Sequence, residues 1–427
     1  MHQTKSTISP AFLLIFLGWI VYSTSYLGKV NYSANITQII DFYGVTKAQA
    51  GTAPTFFFFA YGVGQVINGL FCKKYNIKWM IFGSLMMSAV INLIIAVSTN
   101  FTIIKWLWLL NGITLSILWP TLIRLLSENL PQKVLGTSSV VMGTTVATGT
   151  LIVYGLSSIY AMFDRFKLSF YTAGFAMIIV SFVWLILYNK SITITKKEKD
   201  TEGYVEPTKT DSPSQVKEEK SERKLFLATI CSLCFCAVGV NLTKDGLTTW
   251  VPSILKETFN MSDSLSILLT LFLPILAVFG NAYALTIHKK IPDYITHCAT
   301  IFTAIALFTG IIIGSLALKI AAIMLIGLVV VNFLASSLNS LITSIFPMFM
   351  RGKGNSGLLA GILNGFCYLG STISSYGLGV IADHFGWTYV FYFLILFCIL
   401  VLIVWGIYSI FKVYTGRKMD TSTNIVK

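Results

Sequence analysis

The chain has 427 residues, of which 55% are hydrophobic and 11% are charged, and its mean hydropathy is +0.76. A soluble domain carries about 25% charged residues, so this composition excludes a soluble globular protein and indicates a polytopic protein of the lipid bilayer. The formal net charge of +14 does not indicate a nucleic-acid partner, because most lysines and arginines lie in short connectors between apolar segments, where they set topology.

Apolar segments of about 20 residues, the length that spans a bilayer, recur along the whole chain. They predict an all-α membrane protein with twelve transmembrane helices. The helices are expected near residues 10–31, 52–72, 79–98, 102–126, 136–160, 168–188, 225–250, 264–287, 295–314, 317–346, 357–381 and 386–411. The first segment lacks a small-residue cleavage site of the usual kind, so it is interpreted as an uncleaved helix.

The distribution of basic residues predicts the orientation of these helices. If the N-terminus lies inside, the inner connectors and the C-terminal tail hold most of the basic residues. The outer connectors then hold Lys47, Lys105, Arg165, Lys167, Lys256 and Lys319. By the positive-inside rule, we expect a multi-pass protein of the cell membrane with both termini in the cytoplasm.

One stretch, residues 189–224, has almost no apolar content and carries mixed charge. We interpret it as a flexible cytoplasmic linker, with a regulatory docking site as the alternative. It separates a predicted N-terminal six-helix bundle, residues 10–188, from a predicted C-terminal bundle, residues 225–412. Residues 1–9 and 413–427 are the expected cytoplasmic tails.

The two halves repeat each other at an offset of 215 to 221 residues. The repeat pairs Gly136 with Gly357, Gly149 with Gly370, and Asp164 with Asp383. The glycine-rich runs of the fifth and eleventh predicted helices are expected to let helix backbones approach closely or bend. Matching halves around a linker are typical of secondary transporters, whose substrate site lies between the halves near the bilayer midplane.

Two lysines lie at the ends of apolar stretches, in corresponding places of the two halves. Lys29 is in the first predicted helix and Lys244 is in the seventh. A lysine at membrane depth costs about 2.5–3.5 kcal/mol on insertion scales, so the matched pair predicts an anion site in which the two lysines face each other. The alternative is that each ammonium snorkels to the headgroups.

Hydroxyl groups accompany the first lysine. Tyr22, Tyr26 and Lys29 fall at i, i+4 and i+7, which is one face of a helix, and Ser25 lies beside them. An ammonium flanked by phenolic hydroxyls offers an anion one charge and several hydrogen-bond donors. The alternative for the tyrosines is an interfacial aromatic belt.

Polar groups also surround the second lysine. Asn241, Lys244 and Thr248 share one helix face, and Asp245 follows the lysine. Adjacent helical residues point about 100° apart, so the pattern does not require Asp245 to pair with Lys244. Three interpretations of Asp245 stay open: charge balance for a lysine, proton coupling, or a position in water at the outer mouth.

Other polar groups inside the predicted helices, including Gln65, Asn111 and Asn339, are interpreted as mediating helix packing. The four histidines are scattered, and no Ser/His/Asp constellation, HExxH helix or phosphate-binding GxxxxGK[ST] loop is present. The seven cysteines lack the paired spacing of a disulfide framework or zinc site. We therefore expect no enzymatic activity, no cofactor and no metal.

Four groups of residues, spread over nearly the whole chain, form recognisable motifs. They are Tyr26-Leu27-x-Lys29-x-Asn31-Tyr32; Trp119-Pro120 with Arg124 and Gln132-Lys133-x-x-Gly136; Lys244-x-Gly246-x-x-x-Trp250-x-Pro252; and Tyr368-Leu369-Gly370 with Asp383-x-Phe385-Gly386-Trp387. With these motifs the chain resembles the organophosphate:phosphate antiporters of the major facilitator superfamily, typified by bacterial glycerol-3-phosphate and hexose-6-phosphate transporters.

The resemblance implies that Lys29 and Lys244 hold the phosphate of the substrate. It also implies that aromatic residues line the path, namely Tyr22, Tyr26, Tyr61, Trp119 and Tyr368. The chain departs from the glycerol-phosphate members, which have arginine at both lysine positions, a lysine at Gln65 and a histidine at Val146. A lysine is a point charge that lacks the bidentate grip of arginine, so a carboxylate or sugar acid becomes a credible alternative substrate.

We therefore expect a monomeric secondary transporter that moves a small organic anion by rocker-switch alternating access. A phosphorylated sugar or glycerol phosphate is the leading substrate class, exchanged for inorganic phosphate or coupled to protons. The scarcity of membrane carboxylates favours exchange. The alternatives are an organic-acid or sugar-acid:proton symporter, and a membrane sensor of sugar phosphates that has a transporter fold.

Overall fold

The computed structural model describes residues 10–71, 75–201, 220–349 and 356–425, and every regular element in these ranges is helical. In chain order the helices are α1 (Pro10–Ala34), α2 (Ile36–Tyr43), α3 (Lys47–Phe71), α4 (Ile77–Val97), α5 (Phe101–Ser116), α6 (Leu118–Asn129), α7 (Gln132–Gly143), α8 (Thr145–Ala161), α9 (Lys167–Thr201), α10 (Lys220–Phe259), α11 (Asp263–Thr270), α12 (Phe272–Ala277), α13 (Gly280–Lys290), α14 (Tyr294–Ala317), α15 (Ala321–Ser340), α16 (Phe346–Phe349), α17 (Ser356–Phe385) and α18 (Trp387–Ile425), with a π-helical segment (Leu341–Ile345) after α15. The predicted all-α class is confirmed.

Within the described ranges, nine helical stretches are long and apolar enough to cross a membrane. A bent pair, Asp263–Ala277 and Gly280–Lys290, makes ten if it forms one span. Helices α3 and α17 are 25 and 30 residues long and match the second and eleventh predicted spans, but they are not among the nine. Glycine and polar residues lower the hydropathy of α3, and glycine and serine lower that of α17, so the count of twelve spans stays a prediction.

Two of the predicted spans are interrupted at prolines. Helix α5 ends at Ser116, four residues before Pro120, and α11 ends at Thr270, four residues before Pro274. Proline has no N–H to donate to the carbonyl four residues earlier, and its ring clashes with that carbonyl. The fourth and eighth predicted spans are therefore built from consecutive shorter helices.

The predicted linker is helical at both of its ends. Helix α9 continues to Thr201 and α10 begins at Lys220, so only residues 202–219 of the predicted segment 189–224 lie outside the described residues. Lysine and glutamate are good helix formers, and extending an existing helix costs less than nucleating a new one. The apolar helices therefore continue into the charged sequence that follows or precedes them.

The chain divides into two compact units. Of the described residues, unit 1 comprises those within 1–44, 56–210 and 263–271, and unit 2 comprises those within 45–55, 211–262 and 272–427. This division differs from the predicted split at the linker in two short segments, because the start of α3 belongs to unit 2 and α11 belongs to unit 1. The two segments occupy corresponding places in the sequence repeat.

In unit 1, α11 is held by α8 and the end of α1. Ile267 is fully buried in a cluster with Ala34, Val153 and Tyr154. Beside this cluster, the hydroxyl of Ser158 donates a hydrogen bond of 2.9 Å to the carbonyl oxygen of residue 264. Burial of a large aliphatic side chain together with a satisfied hydroxyl accounts for the membership of α11 in this unit.

In unit 2, the first turn of α3 is held by charged side chains. The carboxylate of Asp383 accepts hydrogen bonds from the N–H groups of Lys47 and Ala48, at 3.1 and 2.7 Å. The Lys47 ammonium lies 3.1 Å from Glu257, which also accepts a bond of 2.9 Å from the indole of Trp387. A carboxylate at a helix N-terminus satisfies N–H groups that have no partner within the helix, so Asp383 caps α3 from α17.

The connector before α14 contains a second capping carboxylate. Asp293 accepts a hydrogen bond of 2.9 Å from the N–H of Thr296 and pairs with the ammonium of Lys412. Burial alone would raise the pKa of Asp293, but the hydrogen bonds from Lys412 and Thr296 lower it below its ordinary value. This pair fastens Lys412 of α18 to the start of α14.

The repeat-related glycines of α8 and α17 mark close helix contacts. A Cβ atom placed on Gly149 would lie 2.5 Å from the Cβ of Tyr26, and one on Gly370 would lie 2.9 Å from the carbonyl carbon of Val238. Real Cβ atoms essentially never approach other atoms so closely. The predicted close approach of backbones at these two glycines is therefore confirmed.

Candidate functional site

The structure places Lys29 over two buried aromatic rings of unit 1. Its Nζ lies 3.9 Å from the ring centroid of Tyr61 and 4.9 Å from that of Tyr26. The Tyr61 and Tyr26 side chains are 1% and 9% exposed. An ammonium over a tyrosine face gains a cation–π interaction, and this geometry favours a lysine held in place over one that extends toward the headgroups.

The other predicted aromatic residues of the first half join this group. The Tyr22 ring lies 5.5 Å from the Tyr26 ring and 4.7 Å from the Trp119 ring, and its hydroxyl is 3.5 Å from that of Tyr61. These four residues, from α1, α3 and α6, form the aromatic cluster. The helical spacing of Tyr22, Tyr26 and Lys29 puts them on one face of α1, and α3 and α6 supply the facing rings.

In unit 2, Lys244 pairs with the carboxylate that follows it. Its Nζ lies 3.4 Å from Oδ1 of Asp245, because the flexible stem of the lysine spans the 100° between neighbouring side chains. The other oxygen of Asp245 accepts hydrogen bonds from the Ser371 hydroxyl at 2.5 Å and from the Asn241 amide at 3.1 Å. Asp245 is therefore held firmly beside the lysine.

An amide chain continues from this carboxylate. Asn339 donates to the side-chain oxygen of Asn241 at 2.8 Å, and Asn241 also lies 3.1 Å from the Ser371 hydroxyl. Asn241, Lys244, Asp245, Asn339 and Ser371 form the polar cluster of unit 2. Asn339, which the sequence suggested as a packing residue, belongs to this cluster. No pattern in the sequence predicted a role for Ser371.

Tyr368 is half-buried on α17, three residues before Ser371 and on the same helix face. That spacing is the signal that identifies Ser371 in retrospect, since a hydroxyl one turn from a predicted site tyrosine lies on the side facing α10. Val146, where the resemblance implies a histidine, is 41% exposed.

The two lysines differ in their electrostatic surroundings. The ammonium of Lys29 rests on aromatic faces, whereas that of Lys244 is balanced by a carboxylate. An anion that approaches Lys244 must therefore compete with the carboxylate of Asp245. Taken separately, unit 1 can offer an anion one ammonium and phenolic hydroxyls, and unit 2 can offer one ammonium and amides.

Long apolar helices with lysines, amides and hydroxyls packed between them define a polytopic membrane protein that handles a polar solute. The sequence profile of the Major Facilitator Superfamily matches residues 18–358, and the chain belongs to this family. It is a multi-pass membrane transporter rather than an enzyme. The predicted resemblance at the superfamily level is confirmed.

Several relatives carry names that concern phosphorylated solutes. The Probable hexose phosphate transport protein of Chlamydia trachomatis is 20% identical over 410 residues, covering 92% of this chain and 89% of that protein. Sugar phosphate exchanger 3 of Homo sapiens is 22% identical over 383 residues, covering 81% and 77%. The Glycerol-3-phosphate transporter of Bacillus subtilis is 22% identical over 412 residues, covering 92% and 90%.

A solved structure supports the fold. A bacterial homologue of the human lysosomal transporter Spinster, in an inward-facing and occupied conformation, matches with a TM-score of 0.66 and 14% sequence identity. The match covers 96% of this chain and 98% of that chain. At this identity the likeness concerns the fold alone.

Proposed function

We propose that the chain exchanges a phosphorylated sugar or glycerol phosphate for inorganic phosphate by rocker-switch alternating access. The observation that carries the proposal is the ammonium of Lys29 held over Tyr61 and Tyr26 within a membrane helix. A cation kept inside a membrane helix is costly and marks a functional site. The names of the relatives support a phosphorylated solute.

Each lysine contributes a point charge to the anionic head of the substrate. The hydroxyls of Tyr22, Tyr26 and Tyr61 are donors beside Lys29, and charge-assisted hydrogen bonds are strong in a site of low dielectric. Asn241 and Tyr368 offer an amide and a phenol to the polar body of the substrate, and the indole of Trp119 lines the path. We propose the cell membrane as the location, with both termini in the cytoplasm.

Asp245 supports a second candidate, an organic-acid or sugar-acid:proton symporter. A carboxylate paired with a lysine inside a membrane protein is an arrangement from which a proton can be taken up when the lysine turns to an incoming anion. In the exchange mechanism the same carboxylate balances the charge of Lys244 while no substrate is bound. The two candidates therefore assign different tasks to one residue.

Uptake by proteoliposomes tests the proposal. Vesicles loaded with inorganic phosphate are expected to take up labelled sugar phosphate or glycerol phosphate, and empty vesicles are not. Lys29→Ala and Lys244→Ala should each abolish uptake with normal membrane insertion, whereas Lys290→Ala, at the exposed last residue of α13, should leave uptake unchanged.

Three results would redirect the assignment. Normal uptake by both lysine variants would refute the site. Uptake of a carboxylate driven by a pH gradient, independent of internal phosphate and lost in Asp245→Asn, would establish the symporter instead. Binding of sugar phosphate without any uptake would indicate a sensor.

A further inference from the structure

A chain of buried polar side chains lies behind Lys29 in unit 1. The Asn31 amide donates to the Asn92 side chain at 2.9 Å, and the Asn92 amide donates to the carbonyl of Ser88 at 2.9 Å. The Ser88 hydroxyl donates to the Asn111 side chain at 2.6 Å, and the Asn111 amide donates to the carbonyl of Gly28 at 2.7 Å. The four polar side chains are 0% exposed.

This buried network and the aromatic cluster hold opposite faces of α1. Successive residues of a helix turn by 100°, so Asn31 points about 200° away from Lys29, whereas Tyr22 and Tyr26 share the face of the lysine. The network bonds the back of the helix to α4 and α5, and the front presents the ammonium. The carbonyl held by Asn111 belongs to the residue just before Lys29.

In the observed register each of these four side chains has a hydrogen-bond partner. A buried amide or hydroxyl that loses its partner in apolar surroundings pays the full cost of desolvation, so a small rotation or slide of α1 would be opposed by several groups at once. The backbone from which Lys29 projects is therefore fixed in rotation and in height.

The second unit contains the repeat-related residue. Asn332 follows Asn111 by the same 221 residues that relate Gly149 to Gly370. Its amide lies 3.4 Å from the carbonyl oxygen of Lys244 and 3.3 Å from the hydroxyl of Thr248, which itself donates to that carbonyl at 2.8 Å. In both repeats an asparagine amide reaches the backbone carbonyl at a site lysine or at the residue preceding it.

We propose that Asn111 and Asn332 are positioning residues for the two lysines. Each holds the helical turn that carries its lysine, so that the ammonium meets the anion at a defined point. The proposal rests on the proposed role of Lys29 and Lys244 in anion binding. It assigns to the two asparagines an effect on affinity that acts through the lysines.

Binding of inorganic phosphate to the purified full chain tests this role, measured as a dissociation constant together with the melting temperature of the unliganded protein. Asn111→Ala is expected to weaken phosphate binding about tenfold. Asn129→Ala is the matched control, because Asn129 is also buried and donates to a backbone carbonyl at 2.8 Å, but within its own helix α6. It should leave phosphate affinity unchanged, and its change in melting temperature shows what a buried asparagine contributes to stability apart from binding.

A double-mutant cycle separates positioning from a general structural role. In a Lys29→Gln background, Asn111→Ala should change phosphate affinity less than twofold, because the group it positions is gone. Asn332→Ala with Lys244→Gln repeats the cycle in unit 2 and carries the test if Asn111→Ala does not fold.

The outcomes distinguish the proposals. If the wild type binds neither phosphate, glycerol 3-phosphate nor a simple carboxylate, the proposed function fails and the positioning role falls with it. If the wild type binds phosphate and Asn111→Ala binds it equally well, only the positioning role is refuted. Equal tenfold losses with and without Lys29 would show a general structural role and would also refute it.

Discussion

Replacing Gly370 by alanine tests the helix contact behind the polar cluster. A Cβ atom at this position would lie 2.9 Å from the carbonyl carbon of Val238 and 3.0 Å from the backbone nitrogen of Leu242, well inside the 3.4 Å at which ordinary contact begins. The neighbouring atoms belong to the backbone of α10, so no side-chain rotation relieves the clash. Helices α17 and α10 must move apart.

The expected cost follows from two opposing effects. Overpacking a tight contact costs about 1–3 kcal/mol, and more where backbone must shift. Alanine in place of glycine inside a helix recovers about 1 kcal/mol. Because the clash here is with backbone, we take the upper end of the overpacking range and expect Gly370→Ala to destabilise the protein by about 2 kcal/mol. Because Ser371 follows directly, its bond to Asp245 should also lengthen and phosphate affinity should fall.

Melting of the purified protein measures this effect, with Gly377→Ala as the control. Gly377 lies on the same helix, and a Cβ there would meet nothing within 4 Å. The control should be neutral or slightly stabilising. If Gly370→Ala melted at or above the temperature of Gly377→Ala, the close contact between α17 and α10 would be wrong. Gly149→Ala, which pushes on Tyr26, should behave in the same way in unit 1.

Three carboxylates give further predictions. Asp245→Asn should bind inorganic phosphate about fivefold more tightly, because the anion no longer competes with the Asp245 carboxylate for Lys244. The partly exposed Lys244–Asp245 pair is worth about 1 kcal/mol after screening, which corresponds to that factor. An unchanged phosphate affinity in a binding titration would contradict this. Asp383→Asn should lower the free energy of unfolding by about 1 kcal/mol and speed amide exchange in the first turn of α3. Asp164→Asn should do neither, because Asp164 is exposed and asparagine tolerates its left-handed φ of 53°. Asp293→Asn should lower the melting temperature at neutral pH. Because the folded-state pKa of Asp293 is lowered, the stability that its carboxylate contributes is present above about pH 4 and is lost as the pH falls through that lowered pKa. The difference in melting temperature between Asp293→Asn and the wild type should therefore shrink in acid. A difference that stays constant with pH would show that the ion pair with Lys412 does not cause it.

The fold class could be predicted from hydropathy because the bilayer imposes one physical requirement. Every backbone polar group in the membrane must be bonded within its own segment, so a long apolar run becomes a helix whatever surrounds it. The breaks before Pro120 and Pro274 follow from the same backbone chemistry and were visible as prolines in apolar runs. The ends of α9 and α10 were not predicted, because charged sequence is compatible with a helix as well as with coil.

The sequence by itself determined which residues share a face of one helix. The 3.6-residue period placed Tyr22, Tyr26 and Lys29 together, and Asn241, Lys244 and Thr248 together, because this period is a property of the backbone. The resemblance to known antiporters added Tyr61 and Trp119, and the structure brings both into the aromatic cluster.

Only the tertiary structure decided which polar groups meet across helices. Ser371 reaches Asp245 over 126 positions of sequence, and Asn111 reaches Gly28 over 83. Such pairings depend on the rotation of each helix and on how closely two backbones approach, which are set by the packing of many side chains at once. The sequence therefore predicts the two lysines, whereas the groups that hold them in place are determined by the packing of the helices.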